Sequence, residues 1–377
     1  MPPVSVLIKP VSSACNLQCA YCFYRDVAAN REVPCSGPMP PETVEAVIVQ
    51  AMRYAEGSCT FAFQGGEPTL AGLSFFRRVL ELEEKYSRPG VAVYNTIQTN
   101  GILLDEAWAH FLAENHFLVG LSLDGPAFLH DHNRTGADGA GTFAQVMRAA
   151  ALLDRFHAAY NILCVVTGKT AAHAEEVYRF FRRRGFPWLQ FIPCLEPIAQ
   201  ERGLASFHLS PSAYGDFLVR IFDAWLADLR KGEYVSIRHL DNWMHILLGE
   251  PPESCDMIGC CSVQFVVESS GHVYPCDFYV LDQWDLGSIH ERSLAQMAQS
   301  PTAQAFRKAS RHLPDKCAAC PLYPLCRNGC RRNRLQDGVG DPGVNYYCES
   351  YRHFFFSRKR QLAEAVRLIR DMRREFV

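Results

Sequence analysis

The stretch that decides the fold is Cys15-Asn-Leu-Gln-Cys19-Ala-Tyr21-Cys22, close to the amino terminus. Its three cysteines are spaced so that their thiolates wrap one face of a four-iron cluster. No fourth cysteine follows nearby, since the next is Cys35, beyond a loop of turn-forming residues. Four thiolates close such a cluster, whereas three leave one iron open to a substrate or cofactor. The spacing therefore predicts an enzyme rather than a passive metal-binding module.

Length, composition and charge exclude several classes of protein. The 377 residues allow one large domain and a smaller one, and 48% apolar with 21% charged residues is typical of soluble globular proteins. The net charge of −2 provides no general basic field, so we expect neither nucleic acid nor a membrane as a partner. The amino terminus resembles no signal peptide, and no apolar run approaches a membrane span. We expect a cytoplasmic protein, whose sixteen reduced cysteines indicate metal binding rather than disulfides.

The first half of the chain alternates strand patterns with helical patterns. We predict helices over 41–55, 75–85, 105–114, 142–157 and 172–184, the fourth opened by a capping box of Thr142 and Gln145. The predicted strands are 4–9, 59–64, 91–99, 117–123, 160–166 and 188–192. This alternation indicates parallel strands joined by crossover helices, in an open doubly wound sheet or in a barrel.

Unusual residues follow directly after several of these strands. They occupy 15–22, 65–68, 98–101 and 122–125. Because active sites of barrels lie at the carboxyl ends of the strands, we expect one site on this rim.

The pattern changes after residue 192. One long helix is predicted over 211–230, and a turn-rich region over 255–348 holds nine of the sixteen cysteines. We predict domains over 1–235 and 236–349 and a basic helical tail over 350–377, with Gly and Pro near residue 250 marking the change.

The cysteines of the second half form a dense set. The set comprises Cys255, Cys260, Cys261, Cys276, Cys317, Cys320, Cys326, Cys330 and Cys348. If one of the adjacent pair Cys260 and Cys261 is spare, the remaining eight make two closed four-cysteine sites. Structural zinc also favours all-cysteine sites with this Cys-x2-Cys spacing. Next to the three-cysteine motif, we favour iron–sulfur clusters.

These motifs together resemble the radical S-adenosylmethionine (SAM) superfamily. Cys15-x3-Cys19-x2-Cys22 with Tyr21 is similar to its cluster motif, and Gly65-Gly66-Glu67-Pro68 is similar to its methionine-binding segment. The later cysteines resemble the SPASM extension with two auxiliary clusters. Within this group the chain resembles the anaerobic sulfatase-maturating enzymes, through strings of residues at 8–10, 61–72, 264–268 and 274–281.

The resemblance implies a fold and an activity. The fold is α/β, a partial (β/α)6 TIM-like barrel with a carboxyl-terminal cysteine-rich SPASM domain. The implied cofactors are three [4Fe-4S] clusters and SAM. The implied reaction uses a 5′-deoxyadenosyl radical to oxidise a cysteine or serine of an unfolded sulfatase polypeptide to Cα-formylglycine, without oxygen. A ferredoxin or flavodoxin is the implied kind of electron donor.

The resemblance also implies which cysteines ligate which cluster. Cys15, Cys19 and Cys22 hold the cluster that binds SAM. The nearer auxiliary cluster takes Cys255, Cys261, Cys276 and Cys330, and the farther one takes Cys317, Cys320, Cys326 and Cys348. Cys260 departs from the family pattern and is an alternative ligand to Cys261.

Further residues receive roles in the chemistry. Gly65 and Gly66 let the backbone approach the cofactor, and Glu67 suits the SAM amine by its charge. The resemblance gives Asp277 the role of the base that takes the thiol or hydroxyl proton, within hydrogen-bond reach. The other candidates for the cofactor and substrate pocket are Tyr21, Tyr24, Gln64, Ser122, Asp124, Arg134 and Leu195. Of these, Ser122 and Asp124 suit the ribose or the methionyl end, Arg134 suits the SAM carboxylate, and Tyr24 and Gln64 suit the peptide.

Two alternatives stay open on the sequence. A related radical enzyme that cross-links a precursor peptide shares the clusters and needs no base at Asp277. A non-catalytic iron–sulfur or zinc module is the second alternative, and iron analysis separates it from an enzyme with about twelve irons per chain. Either cysteine or serine fits as the target residue.

Overall fold

One nine-stranded sheet is the frame of this computed structural model, which describes residues 3–336 and 342–375. Its strands are β1 (Val4–Ile8), β2 (Gly57–Phe63), β3 (Val91–Thr99), β4 (Leu118–Ser122), β5 (Tyr160–Val166), β6 (Trp188–Pro193), β7 (Ser236–Ile237), β8 (Val266–Val267) and β9 (Val273–Tyr274). They lie in the order β7-β6-β5-β4-β3-β2-β1-β8-β9. β1 to β6 are parallel and adjacent in chain order, as a partial (β/α)6 barrel requires.

Helices connect the strands and continue through the second half of the chain. Those of the barrel half are α1 (Phe23–Ala29), α2 (Pro41–Tyr54), α3 (Gly72–Lys85), α4 (Glu106–Glu114), α5 (Ala127–Asn133), α6 (Phe143–Arg155), α7 (Gly168–Ala172), α8 (Ala174–Arg183) and α9 (Pro211–Leu229). The others are α10 (Arg238–Leu248), α11 (Leu294–Ala298), α12 (Pro301–Ser310), α13 (Asp315–Ala318), α14 (Tyr323–Cys326), α15 (Cys348–Ser357) and α16 (Lys359–Glu375). Among the described helices, none combines the length and the apolar composition needed to cross a bilayer.

The alternation of side chains along the strands separates core from site. On β2, Cys59, Phe61 and Phe63 are fully buried against the helices, whereas Ser58 and Thr60 face the open inner side. The helices supply the matching apolar stripe, as α2 does with its buried valines and isoleucine. On β2, the inner face therefore carries small polar side chains that are partly exposed.

Two local predictions were wrong. We expected the residues after Cys22 to form a loop. Instead, helix α1 starts directly after Cys22, which is its N-cap residue. Thr142 does not cap α6 with its side chain; instead Asp131 accepts a hydrogen bond from the Phe143 N–H at 2.8 Å. The Thr142 hydroxyl donates to the carbonyl of Arg134 at 3.0 Å, a contact from outside the helix that a four-residue pattern does not reveal.

The predicted domain limits at residues 235 and 349 stay a prediction. β7, just after the first limit, pairs with β6 through Trp188 and Ser236, so the sheet continues across it. Past the second limit, the Ser350 hydroxyl donates to the carbonyl of Pro211 at 2.6 Å, at the start of α9. The tail helices therefore pack on the barrel.

Glu83 on α3 has a buried carboxyl group, and one of its oxygens has no hydrogen-bond partner among the described residues. Glu83 Oε2 accepts from the side-chain amide of Asn95 at 2.9 Å. Glu83 Oε1 and Asn95 Oδ1 are both buried acceptors with no partner among the described residues. Burial raises the pKa of Glu83 from 4.5 to about 7. A proton on Glu83 would satisfy both acceptors, so the neutral form fits this site.

We predict that Glu83→Gln makes the protein less sensitive to alkaline pH. The folded state raises the pKa of this carboxyl, so its contribution to stability is present below pH 4.5 and is lost as pH rises through about 7. The glutamine amide cannot ionise and can donate to Asn95. From pH 5 to pH 8, the free energy of unfolding of the variant should improve relative to the parent by about 1–3 kcal/mol. Thermal melts followed by circular dichroism test this, with exposed Glu84→Gln on the same helix as the control. A constant difference across this range contradicts the prediction.

Candidate functional site

The three cysteines of the amino-terminal motif lie in the loop between β1 and α1. Cys15 is exposed, and Cys19 and Cys22 are half-buried. Although Cys15 is exposed as a residue, the protein around its sulfur removes water from the thiol and raises its pKa to about 12. The nearby charges of Cys19 and Cys22 raise this pKa as well. The Leu17 N–H donates to Cys15 Sγ at 3.4 Å. Three thiols in one short loop, with an N–H aimed at the sulfur of Cys15, fit a metal cluster that takes them as thiolates.

A tight contact fixes this loop against the end of β2. A side chain at Gly66, which has φ +48, would overlap the carbonyl oxygen of Ala14. The same carbonyl accepts a hydrogen bond from the Glu67 N–H at 2.8 Å. The glycine was predicted to admit a cofactor, but the close approach that the structure records is to the residue before Cys15. The segment therefore acts on the position of the cysteine loop.

Glu67 is buried and holds two strand ends together. Its Oε1 accepts from the Thr69 N–H at 3.0 Å, the Thr69 hydroxyl at 2.6 Å and the Thr99 hydroxyl at 2.8 Å. Its Oε2 accepts from the Asn100 N–H at 2.8 Å. The Asn100 amide in turn donates to Asn16 Oδ1 at 2.8 Å. This carboxylate therefore positions the rim, and the expectation that it also meets the amine of a cofactor stays a prediction.

Tyr21, Asp124 and Arg134 form one buried cluster. Asp124 accepts from Arg134 Nε at 3.0 Å, from Arg134 Nη2 at 3.3 Å and from the Val165 N–H at 2.9 Å. The Tyr21 hydroxyl donates to the same carboxylate, and the Arg134 guanidinium lies 5.4 Å from the centre of the Tyr21 ring. Burial raises the pKa of Cys19, whereas the charge of Arg134 lowers it, so the guanidinium also acts on a cluster cysteine.

This cluster changes the expectation for three residues. Asp124 and Arg134, which were expected to bind separate parts of a cofactor, pair with each other, and their contacts with a cofactor stay a prediction. Ser122 is the last residue of β4. Its hydroxyl has no hydrogen-bond partner in the described part of the chain. Its hydroxyl is therefore available to a ligand.

On another part of the rim, Tyr24, Gln64 and Asp277 meet. The Tyr24 hydroxyl donates to Asp277 Oδ2 at 2.6 Å, and Gln64 Oε1 lies 3.2 Å from that hydroxyl. Asp277 Oδ1 is buried and has no partner among the described residues. Burial raises the pKa of Asp277 to about 6, and the charge of Lys9 lowers it. Since buried acceptors are almost always satisfied, this oxygen indicates a ligand or water in the pocket.

The first cysteine group of the second half is interleaved along the chain. Burial raises the pKa of Cys276, and Cys330 and Cys261 raise it as well. Burial likewise raises the pKa of Cys330 to about 12, with further contributions from Cys255 and Cys261. These four thiols are therefore neighbours, and Asp277 directly follows one of them. Cys260 is half-buried beside Cys261.

The second group encloses a small cavity. Burial raises the pKa of Cys326 to about 11, and Cys317, Cys320 and Cys348 raise it as well. The same four cysteines line a cavity together with Lys316, Tyr323, Asn328, Asn345, Tyr351 and Arg352. Four thiols around a cavity fit a closed cluster, and the assignment of all eleven cysteines as ligands stays a prediction.

Sequence reasoning missed several residues of this rim. Lys9 and Glu268 were noted within characteristic strings but received no role, although Lys9 Nζ lies 2.6 Å from Glu268 Oε1 beside Asp277. Asn100 was noted only as part of a turn, and its link to Asn16 depends on tertiary structure. Leu195, which was expected to border the pocket, is half-buried just after β6.

Comparison with known proteins identifies two matching families. Residues 10–181 match the radical SAM superfamily, and residues 259–321 match an iron–sulfur cluster-binding domain named SPASM. A cysteine-type anaerobic sulfatase-maturating enzyme of Clostridium perfringens is 47% identical over 94% of this chain and 96% of its own length. A serine-type enzyme of Bacteroides thetaiotaomicron is 34% identical over 94% of this chain and 89% of its own.

Solved structures agree with this result. A structure described as native anSMEcpe with bound AdoMet and Cp18Cys peptide has a TM-score of 0.93 and 45% identity, covering 98% of this chain and 100% of that one. SuiB of Streptococcus suis bound to the precursor peptide SuiA has a TM-score of 0.63 and 17% identity, covering 92% and 76%. The second likeness concerns the fold alone.

We predict that Gly66→Ala loosens the amino-terminal cluster. The new methyl group forces the Ala14 carbonyl, and with it Cys15, away from the end of β2. Anaerobically reconstituted variant should hold about four irons fewer than the parent's expected twelve. Gly90→Ala is the matched control, because it also has a positive φ, +80, but open space around the added Cβ. Equal iron content in Gly66→Ala and the parent contradicts the prediction.

Proposed function

This chain belongs to the anaerobic sulfatase-maturating enzymes of the radical SAM superfamily, and we propose that it is a cysteine-type member of that family. It is a radical SAM oxidoreductase that uses SAM and iron–sulfur clusters to oxidise a residue of a sulfatase peptide to Cα-formylglycine. The proposal rests on the position and the hydrogen bonds of Asp277. Its buried Oδ1 has no partner among the described residues, its Oδ2 accepts a hydrogen bond from Tyr24 of α1, and it directly follows Cys276 of the first four-cysteine group.

The residues present fit the cofactors of this reaction. Cys15, Cys19 and Cys22 would hold the cluster that binds SAM, and the two four-cysteine groups would hold the auxiliary clusters. When bound, these groups supply the radical that removes a hydrogen atom from the target Cβ, and the acceptor for the electron released next. Ser122 offers a hydroxyl to the SAM ribose, and the Asp124–Arg134 pair gives that side of the pocket a fixed shape.

The chain's own chemical task is to take a proton from the target side chain. Asp277 receives it on its unpaired Oδ1, while the Tyr24 hydroxyl holds Oδ2 in place. Removing one hydrogen atom, one proton and one electron from a cysteine gives a thioaldehyde, which water converts to the aldehyde. Gln64, beside Tyr24, is suited to orient the peptide backbone.

The preference for cysteine rests on similarity and on chemistry. Cysteine-type relatives are 45–47% identical to this chain, whereas serine-type relatives are 31–34% identical. A thiol also gives up its proton far more easily than an aliphatic hydroxyl, which suits a carboxylate base.

The proposal extends to the partners. We expect the substrate to be an unfolded segment of a sulfatase, because its target side chain must come within hydrogen-bond reach of the buried Oδ1 of Asp277. A ferredoxin or flavodoxin is the expected source of the first electron. With a net charge of −2, nucleic acid and anionic membranes are not expected as partners, and the sixteen cysteines favour the cytoplasm.

A peptide assay tests the proposed activity. Reconstituted enzyme, SAM and a reductant are incubated without oxygen with peptides that carry Cys, Ser or Ala before a Pro-x-Arg segment. We expect an aldehyde that reacts with a hydrazine, formed faster from Cys than from Ser and absent from Ala, together with 5′-deoxyadenosine. Cleavage of SAM with neither peptide altered contradicts the proposal and favours the cross-linking alternative.

We predict that Asp277→Asn separates the two halves of the reaction. The amide cannot take the target's proton, so aldehyde formation should fall about 100-fold while 5′-deoxyadenosine is still formed. The control is Asp282→Asn, an exposed aspartate in the next short turn that accepts a hydrogen bond from the Glu32 N–H at 2.9 Å. Full aldehyde yield from Asp277→Asn removes this residue as the base.

A further inference from the structure

Three charged side chains are buried together next to Tyr24. Lys9 Nζ lies 2.6 Å from Glu268 Oε1, and Arg31 Nη1 lies 2.8 Å from the same oxygen. The side chains of Lys9, Arg31 and Glu268 are 1%, 4% and 2% exposed. They come from the end of β1, the segment after α1 and the turn after β8, so this charge cluster joins the barrel to the auxiliary-cluster region.

The side chain of Lys9 passes directly over Gly65 to reach this charge cluster. A Cβ on Gly65 would overlap the aliphatic stem of Lys9, so the glycine leaves the lysine its path. The ammonium group then lies 5.2 Å from the centre of the Tyr24 ring, within the range of a cation–π interaction. The other end of Tyr24 is the hydroxyl that donates to Asp277. Lys9 therefore holds the ring whose hydroxyl holds the carboxylate.

The second cation is not needed to neutralise Glu268, because Arg31 already pairs with it. Burying an extra ammonium group costs free energy unless another group compensates it. The cluster of two cations and one anion has a net charge of +1, and Asp277 is a second carboxylate close enough for Lys9 to act on it. The arrangement places the surplus charge beside Asp277.

We propose that Lys9 is a positioning residue for the oxidation step, fixing Tyr24 and thereby the carboxylate of Asp277 against the target side chain. This inference rests on the proposed function. It assigns Lys9 no contact with the substrate. Its effect on Asp277 passes through the ring and the hydroxyl of Tyr24.

The test compares Lys9→Met, Tyr24→Phe and the double variant in holoenzyme with the cysteine peptide. The ratio of aldehyde formed to 5′-deoxyadenosine formed is the readout, because a fold defect lowers both products whereas a misplaced carboxylate lowers the aldehyde alone. We expect the ratio to fall about tenfold in Lys9→Met, as small misplacements of reacting groups can cost up to ~100-fold. In the Tyr24→Phe background, Lys9→Met should lower the ratio by much less than it does alone. The Tyr24 hydroxyl, through which Lys9 acts on Asp277, is absent from that background.

Lys85→Met is the matched control. Lys85 also pairs with a glutamate, Glu45 at 2.8 Å, and also lies over a tyrosine ring, Tyr86 at 4.7 Å, but its side chain is 56% exposed and far along α3. It should keep the parent ratio. Iron content and melting temperature are measured for each variant, and Lys9→Gln, which can still donate to Glu268, replaces Lys9→Met if the latter loses iron.

The outcomes separate the inference from the function on which it rests. If the parent enzyme makes no aldehyde, the proposed function fails first. If the parent makes aldehyde and an uncharged Lys9 variant with full iron keeps the parent ratio, the positioning role is overturned. Independent, multiplicative effects of Lys9→Met and Tyr24→Phe overturn it as well.

Discussion

The contact between Ala14 and the Gly66–Glu67 peptide is the constraint on which the site depends. The Ala14 carbonyl accepts from the Glu67 N–H at 2.8 Å and leaves no room for a side chain at Gly66. The Glu67 carboxylate then ties the ends of β2 and β3 together through Thr99 and Asn100. Because Cys15 follows Ala14 directly, the position of the cysteine loop is set by a backbone contact rather than by the cluster that it would hold. Preorganisation of this kind lowers the cost of binding a cofactor.

The carboxylates of the rim divide into two kinds, and their hydrogen bonds explain the division. Glu67 and Asp124 are buried, and both oxygens of each accept hydrogen bonds from the protein, so these carboxylates fix geometry. Asp277 is buried as well, but one of its oxygens has no partner in the described part of the chain. A carboxylate that accepts a proton needs an oxygen without a hydrogen-bond donor, whereas a carboxylate that fixes the rim uses its oxygens as hydrogen-bond acceptors. Burial alone would not distinguish these roles.

Much of this architecture is predictable from local patterns. The six barrel strands follow from alternation and from turn residues, and their ends agree with the structure within two residues. The spacing of Cys15, Cys19 and Cys22 predicts their convergence because they share one loop. The pairing of Asp124 with Arg134 is not predictable in this way, since it depends on where the guanidinium turns after α5. Glu67 was assigned by charge, and two of its observed partners, Thr99 and Asn100, come from the end of the neighbouring strand β3.

Lys9 and Glu268, to which sequence reasoning gave no role, join the end of β1 to the second half of the chain. β1 pairs with β2 on one side and with β8 on the other, so the sheet passes directly from the barrel into the auxiliary-cluster region. The Lys9 N–H donates to the Val267 carbonyl at 2.9 Å, and Glu268 follows. Asp277 lies only a short hairpin further on, at the end of β9. The proposed base in one region can therefore meet the proposed radical site in the other, because a continuous set of hydrogen-bonded strands fixes the distance between them.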